Sequence, residues 1–248
     1  MKLIYYRILN TVGLLVVIVT NYLANALPIN GYSTGELSAF YPNLFVPAGI
    51  TFSIWGIIYL LLIIFSVVQW KNSNDSVVKS LGWLFFINCL LNSGWIVVWH
   101  YRYVELSVLL MFGLLASLVG IYKRLSSLNY NSAFDKFIIK APFNIYFGWI
   151  CVATIANVTT LLVHWEFNPT NPGHFAVAMI LATQVLVYLV NQQKANIFFT
   201  ATIIWALAGI VYKRNMADGP EILIITSYAA IALSVIIYTL QQAKNRYS

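Results

Sequence analysis

Eight runs of the chain, 8–27, 48–69, 81–99, 104–122, 141–163, 174–192, 196–212 and 221–240, contain no Lys, Arg, Asp or Glu apart from Glu105 and Glu221 near two of their starts. About 20 apolar residues in helical form cross the roughly 30 Å hydrocarbon core of a bilayer. Transmembrane strands would alternate apolar and polar residues, and a run such as Ile57–Val68 does not alternate. In lipid every backbone polar group needs a partner within the segment, which leaves the helix. The chain is expected to be all-α, a polytopic transmembrane helical bundle of eight spans. Only 8% of residues are charged, against about 25% in a soluble domain. The net charge of +7 is therefore not read as a nucleic-acid footprint.

The charges are unevenly shared between the loops. With eight spans and an inner N-terminus, the inner segments hold Lys2, Arg7, Lys71, Lys79, Lys123, Arg124, Lys136, Lys140, Lys194, Lys244 and Arg246, and the outer ones hold Arg102, Lys213 and Arg214. This positive-inside bias predicts cytoplasmic termini, and a bacterial inner membrane is the simplest location. Lys213 and Arg214 sit on the wrong side of that pattern. Lys2, Arg7, the apolar stretch 8–20 and Ala24-Asn25-Ala26 also resemble a secretory signal, but retention as a first span is the expectation. Residues 28–47, rich in Pro and aromatics, make an outer loop long enough to act as a lid or a packed cap. The short His100–Tyr103 connection predicts antiparallel neighbours on either side, and 123–140 reads as a polar inner loop. Cys89 and Cys151 each lie inside an apolar run and suggest no disulfide.

Polar residues inside spans cost free energy unless paired, so their placement points to function. Asn88, Asn92, Trp95 and Trp99 recur at spacings that put them on one helix face, as do Tyr146, Trp149, Ala153 and Asn157, and Thr51, Trp55 and Tyr59. Aromatic rings beside neutral amides and a small residue suit a flat, largely apolar ligand. The alternative is that the amides hold helices together and the rings pack or anchor. Gln184, Tyr188 and Asn191 share a face of 174–192 and could pair with the preceding helices or act as local glue. No mid-span Lys or carboxylate offers a Schiff base or proton relay, and no catalytic or metal-ligating set is assigned. His100, His164 and His174 fall at span ends and read as solvated loop residues. Trp70, Trp83, Trp165 and Trp205 read as interfacial anchors or packing.

Three motifs on these faces resemble the translocator protein family, also called tryptophan-rich sensory proteins or peripheral-type benzodiazepine receptors. They are Trp55 with Tyr59 behind a Pro-containing entry, Asn88-x-x-x-Asn92-x-x-Trp95, and Trp149-x-x-x-Ala153-Thr154-x-x-Asn157. The resemblance covers about residues 1–165. It implies a five-helix core with 28–47 over a pocket; the three further helices expected in 166–248 are a departure, since a five-helix member lacks them. It also implies a tetrapyrrole such as protoporphyrin or haem, or a sterol-like lipid, as ligand, with no cofactor required. Trp55, Tyr59, Asn88, Asn92, Trp95, Tyr146, Trp149, Ala153 and Asn157 would be the binding residues, with Asn92 and Asn157 orienting a ligand oxygen. Where the family has Pro-Pro-x-Trp this chain has Pro47-Ala48-Gly49-Ile50, so one pocket tryptophan is missing.

Three functions follow from this reading. The first is a non-enzymatic receptor or carrier for a flat hydrophobic molecule. The second is a membrane enzyme that oxidises or degrades porphyrin. The third is a structural or regulatory subunit that meets a membrane protein partner or pairs as a homodimer.

Overall fold

The computed structural model describes residues 2–27, 29–130 and 132–247; Pro28, the first residue of the expected lid, lies outside them. Among the described residues there are ten α-helices and no strand. They are α1 (Leu3–Asn25), α2 (Thr34–Ala39), α3 (Ile54–Val68), α4 (Asp75–Leu81), α5 (Leu84–His100), α6 (Val104–Ser126), α7 (Ala133–His164), α8 (Pro172–Asn191), α9 (Ile197–Met216) and α10 (Glu221–Tyr247). Seven of the helical segments are long and apolar enough to cross a membrane. The eighth expected span, α5, is 17 residues long and reaches that length together with α4, from which it is bent by 61°. Gly82, at φ 53°, makes that break, in a backbone region that favours glycine.

Several helices overrun their sequence-read limits. The expected inner loop 123–140 is mostly helical: α6 continues to Ser126 and α7 begins at Ala133, leaving 127–132 between them. The cause at α7 is a cap, since the Ser132 hydroxyl accepts from the Asp135 amide. Pro142 sits inside α7 without ending it. Lys213 and Arg214 belong to the last turn of α9 and not to a loop, where cations meet the negative end of the helix dipole.

Packing closes a ring. Helix α1 packs on α5, α5 on α6, α6 on α7, α7 on α3, and α3 back on α1. The three-residue turn 101–103 joins α5 and α6, with Arg102 at φ 60°. At the end of the ring away from residues 28–47, Phe65, Phe85 and Phe143 meet edge-on at centroid distances of 4.9–5.7 Å and fill the interior. There too the Arg7 guanidinium pairs with Asp75 and donates to the Gln69 carbonyl at 2.9 Å, so α1 is built into the bundle by its first turns.

Helix α9 docks against α7 and the 3-10 turn Gly49–Ser53, and α8 and α10 pack around it. Contact with α7 is close because Gly148 lacks a side chain: a Cβ there would lie 2.9 Å from Thr202 and 3.1 Å from the Phe199 carbonyl. Gln184 and Asn191 pair with these neighbours and not with the five-helix ring. The Ser234 hydroxyl of α10 donates to Gln184, and Asn191 donates to Thr200 of α9. Tyr188 is exposed.

Candidate functional site

The ring is hollow at the lid end, where α3 begins and α5 and α7 end. Trp55, Trp95, Trp99, Trp149, Phe52, Val152, Ala153, Ala156, Asn157 and Thr160 enclose a chamber, and Thr34, Ser38, Val46 and Pro47 cover it. The helix period explains the walls: Trp95 and Trp99, and Trp149, Ala153, Ala156 and Asn157, fall on inward faces. Trp95 and Trp99 stack at 5.8 Å with planes 13° apart. On the opposite wall Trp149 meets Trp55 edge-on at 6.3 Å and Phe52 at 5.5 Å. The alanines leave space between the rings. As closed, that space is about 50 Å³.

Five of the nine sequence-read binding residues therefore line one chamber: Trp55, Trp95, Trp149, Ala153 and Asn157. Tyr59, Asn88, Asn92 and Tyr146 do not line it. Tyr59 stacks on the far side of Trp55 at 5.3 Å. Asn88 donates to the Ser117 hydroxyl of α6 at 2.8 Å. Asn92 donates to the Tyr146 hydroxyl at 2.7 Å and accepts from Asn21 of α1 at 3.0 Å. Asn157 reaches the chamber, but its amide is engaged at both ends, accepting from Trp95 Nε1 at 3.0 Å and donating to Ser107 at 2.9 Å. These amides join α1, α5, α6 and α7, the role polar groups commonly take between membrane helices.

Two lining side chains have a buried polar atom with no partner, the Thr34 hydroxyl of the cover and Trp149 Nε1, and only the indole is solely a donor. A buried N–H left unpaired costs free energy that a ligand oxygen would recover.

The nine sequence-read residues leave out Trp99, although it shares a face with Trp95, and miss Phe52, Val152, Ala156, Thr160 and the four lid residues as lining. Ala156 had a signal, three residues after Ala153 on the same face. The lid was legible as a segment, but which of its residues touch the chamber was not, because loop geometry is not periodic. Ile50, which stands where the family pattern has tryptophan, is 67% exposed, and Phe52 supplies an aromatic edge to Trp149.

Several polar contacts hold the lid. The Ser33 hydroxyl and the Glu36 carboxylate form a reciprocal cap at the start of α2. Those hydrogen bonds to the ionised form hold the Glu36 carboxyl below its ordinary pKa. Trp99 Nε1 donates to the Thr34 carbonyl at 3.3 Å, and Asn30 donates to the His100 carbonyl at 3.2 Å. Further along, the Ala48 amide donates to the Gly209 carbonyl at 3.1 Å, Trp205 Nε1 to the Thr51 carbonyl at 2.9 Å, and Lys213 to the Val46 carbonyl at 3.2 Å. Trp205 is thus a strut between α9 and the turn that follows the lid.

His100 is fully buried, contrary to its reading as a solvated loop residue. Its ring lies within hydrogen-bond distance of the Ile96 and Ala24 carbonyls, which ties the end of α5 to the end of α1. His164, beside Glu105 at 3.6 Å, and His174 are both exposed, as read from the sequence. Cys89 and Cys151 are free and buried.

Comparison with curated proteins and with solved structures finds no match. A family model described as TSPO-like protein matches residues 7–240, running through the five-helix ring and on into the last three helices. The apolar helices and the extent of this match agree: the chain is an integral membrane protein of the TSPO-like protein family.

Proposed function

We propose that the chamber is the binding site of a receptor or carrier for a flat hydrophobic molecule bearing an oxygen acceptor. A tetrapyrrole such as protoporphyrin or haem is the leading class, and a sterol-like lipid the second. The observation that carries this reading is the orphaned Trp149 N–H in a chamber walled by aromatic rings and covered by a loop. Apolar faces would stack on the Trp95/Trp99 pair and meet the edges of Trp55 and Trp149, each aromatic contact contributing about 0.5–1.5 kcal/mol beyond area burial. A ligand carbonyl or carboxylate would accept from Trp149.

The closed volume sets the mechanism. Ligand pockets commonly measure about 300–1,000 Å³, and a single water takes about 30 Å³ of liquid. A chamber of about 50 Å³ admits a macrocycle only after the cover lifts. The cover is fastened near Thr34 and again at Val46, Ala48 and Thr51, so the segment between Thr34 and Val46 is the part that would move. The residues around the chamber include no carboxylate, His, Lys or Cys, which favours binding over acid–base catalysis. With termini inside, the lid faces the outer side of the membrane.

Titration of the detergent-solubilised protein with protoporphyrin, read by tryptophan quenching and the Soret shift, tests this. Saturable binding is expected. Trp149→Phe, which keeps a ring and removes the N–H, should weaken it by up to about tenfold. Trp95→Ala should weaken it further. Absence of saturable binding by the wild type would overturn the proposal. Illuminating the same complex separates the enzymatic alternative: a bleached Soret band would favour porphyrin breakdown, and an unchanged one leaves binding alone.

A further inference from the structure

A larger cavity, about 770 Å³, lies outside the aromatic chamber, between loop residues 38–46, the lid end of α7, the first turns of α8 and the last turn of α9. Phe45, Leu162, Val163 and Phe175 give it an apolar wall. Arg214 and Lys213 also line it, and these are two of the three cations that break the charge bias of the sequence.

Arg214 is more than nine-tenths buried, at 7% exposure. Its Nε has no hydrogen-bond partner. The ion pairs among the described residues are Arg7 with Asp75 and His164 with Glu105, so no carboxylate neutralises it. Glu166 is on the cavity lining but is not within ion-pair distance. The stem of Arg214 is held in place: a Cβ on Gly219 would lie 2.9 Å from its Cδ, and the Gly219 amide donates to the Arg214 carbonyl at 2.8 Å. Lys213, partly buried beside it, gives one hydrogen bond to the Val46 carbonyl and has two further ammonium protons.

Burying an unpaired cation is costly, and the favourable end of the α9 dipole offsets a small part of that cost. A guanidinium matches carboxylate and phosphate oxygens in a planar fork. We propose that this cavity is a second site, which takes the anionic head of an amphipathic molecule on Arg214, with Lys213 assisting, and lays its apolar tail along Phe45, Leu162, Val163 and Phe175. The head is either the carboxylate of a free single-chain amphiphile or the phosphate of a membrane lipid; the recognition chemistry is shared.

The test uses the full chain in phosphatidylcholine nanodiscs, titrated with cis-parinaric acid and with its methyl ester, and read by energy transfer from tryptophan. Saturable binding of the acid, about tenfold or more tighter than the ester, is expected. Arg214→Gln should lower affinity for the acid to that for the ester, and Arg214→Lys should retain part of the difference. Equal binding of acid and ester by the wild type would overturn the proposal, whether or not the variants fold. So would acid affinity unchanged in an Arg214→Gln protein of wild-type melting temperature. Replacing part of the phosphatidylcholine with phosphatidylglycerol then identifies the source. Weaker acid binding in the wild type but not in Arg214→Gln assigns the site to a lipid phosphate, and unchanged binding in both assigns it to a free carboxylate.

Discussion

Trp149 on α7 and Asn92 on α5 face the interior of the same ring, and both were legible from the sequence as polar groups inside spans. Their environments separate them: the Asn92 amide is engaged at both ends, by Tyr146 and Asn21, whereas the Trp149 N–H has no acceptor. Sequence periodicity places a side chain on a face but says nothing about which groups there are already paired. Ser107 and Asn21, two of the partners that engage the amides, are single polar residues whose pairing across helices the sequence does not show. The distinction has a consequence for mutagenesis. Asn92→Ala should lower stability by about 0.6–2 kcal/mol, seen as a lower melting temperature in detergent, while leaving protoporphyrin affinity within about twofold. Trp149→Phe should show the reverse, with affinity reduced and melting little changed. Equal effects on both measurements in either variant would mean that the amides and the indole do not divide the labour in this way.

Helical elements were the most legible level, because eight uncharged apolar runs leave few alternatives. Their ends were not, since the polar first turns of α7 look like a loop until the Ser132 cap is seen. Nor could the sequence show that α9 would fasten the lid, as that depends on glycine positions chosen for contact. Gly209 packs directly on Thr51, and Gly148 on Thr202. Gly148→Ala should strain the α7–α9 crossing and destabilise the protein by about 1–3 kcal/mol, measured by thermal unfolding. The short α2 makes a pH-dependent element. Because the Glu36 pKa is lowered in the folded protein, the cap is fully present above the ordinary glutamate value of about 4.3 and is lost as pH falls through the lowered folded value. Exchange of the 34–39 amides, corrected for intrinsic rate, should accelerate in acid in the wild type. In Glu36→Gln, which can still cap but does not titrate, it should not. Identical profiles would remove the cap from the account of the lid.

At the scale of the molecule, five helices close a ring with a filled end and a hollow one, and three more brace the hollow end from outside. Of the eight spans read from the sequence, seven are helices long and apolar enough to cross a membrane, and the eighth is reached only if the bent α4–α5 pair counts as one span. The sequence could not anticipate the two cavities, which arise where helices of distant sequence converge. Cytoplasmic termini, as proposed from the charge bias, would put the lid outside. A membrane-impermeant maleimide should therefore label Tyr101→Cys but not Lys71→Cys in intact cells, and the opposite pattern would invert the topology. The central claim is that a ligand enters the aromatic chamber by lifting its cover. Hydrogen exchange of the solubilised protein, with and without saturating protoporphyrin, tests it most directly. Exchange should change in 29–47 and around Trp149–Asn157 while α10 is unaffected. Protoporphyrin bound with both segments unchanged would place the ligand elsewhere and contradict the account.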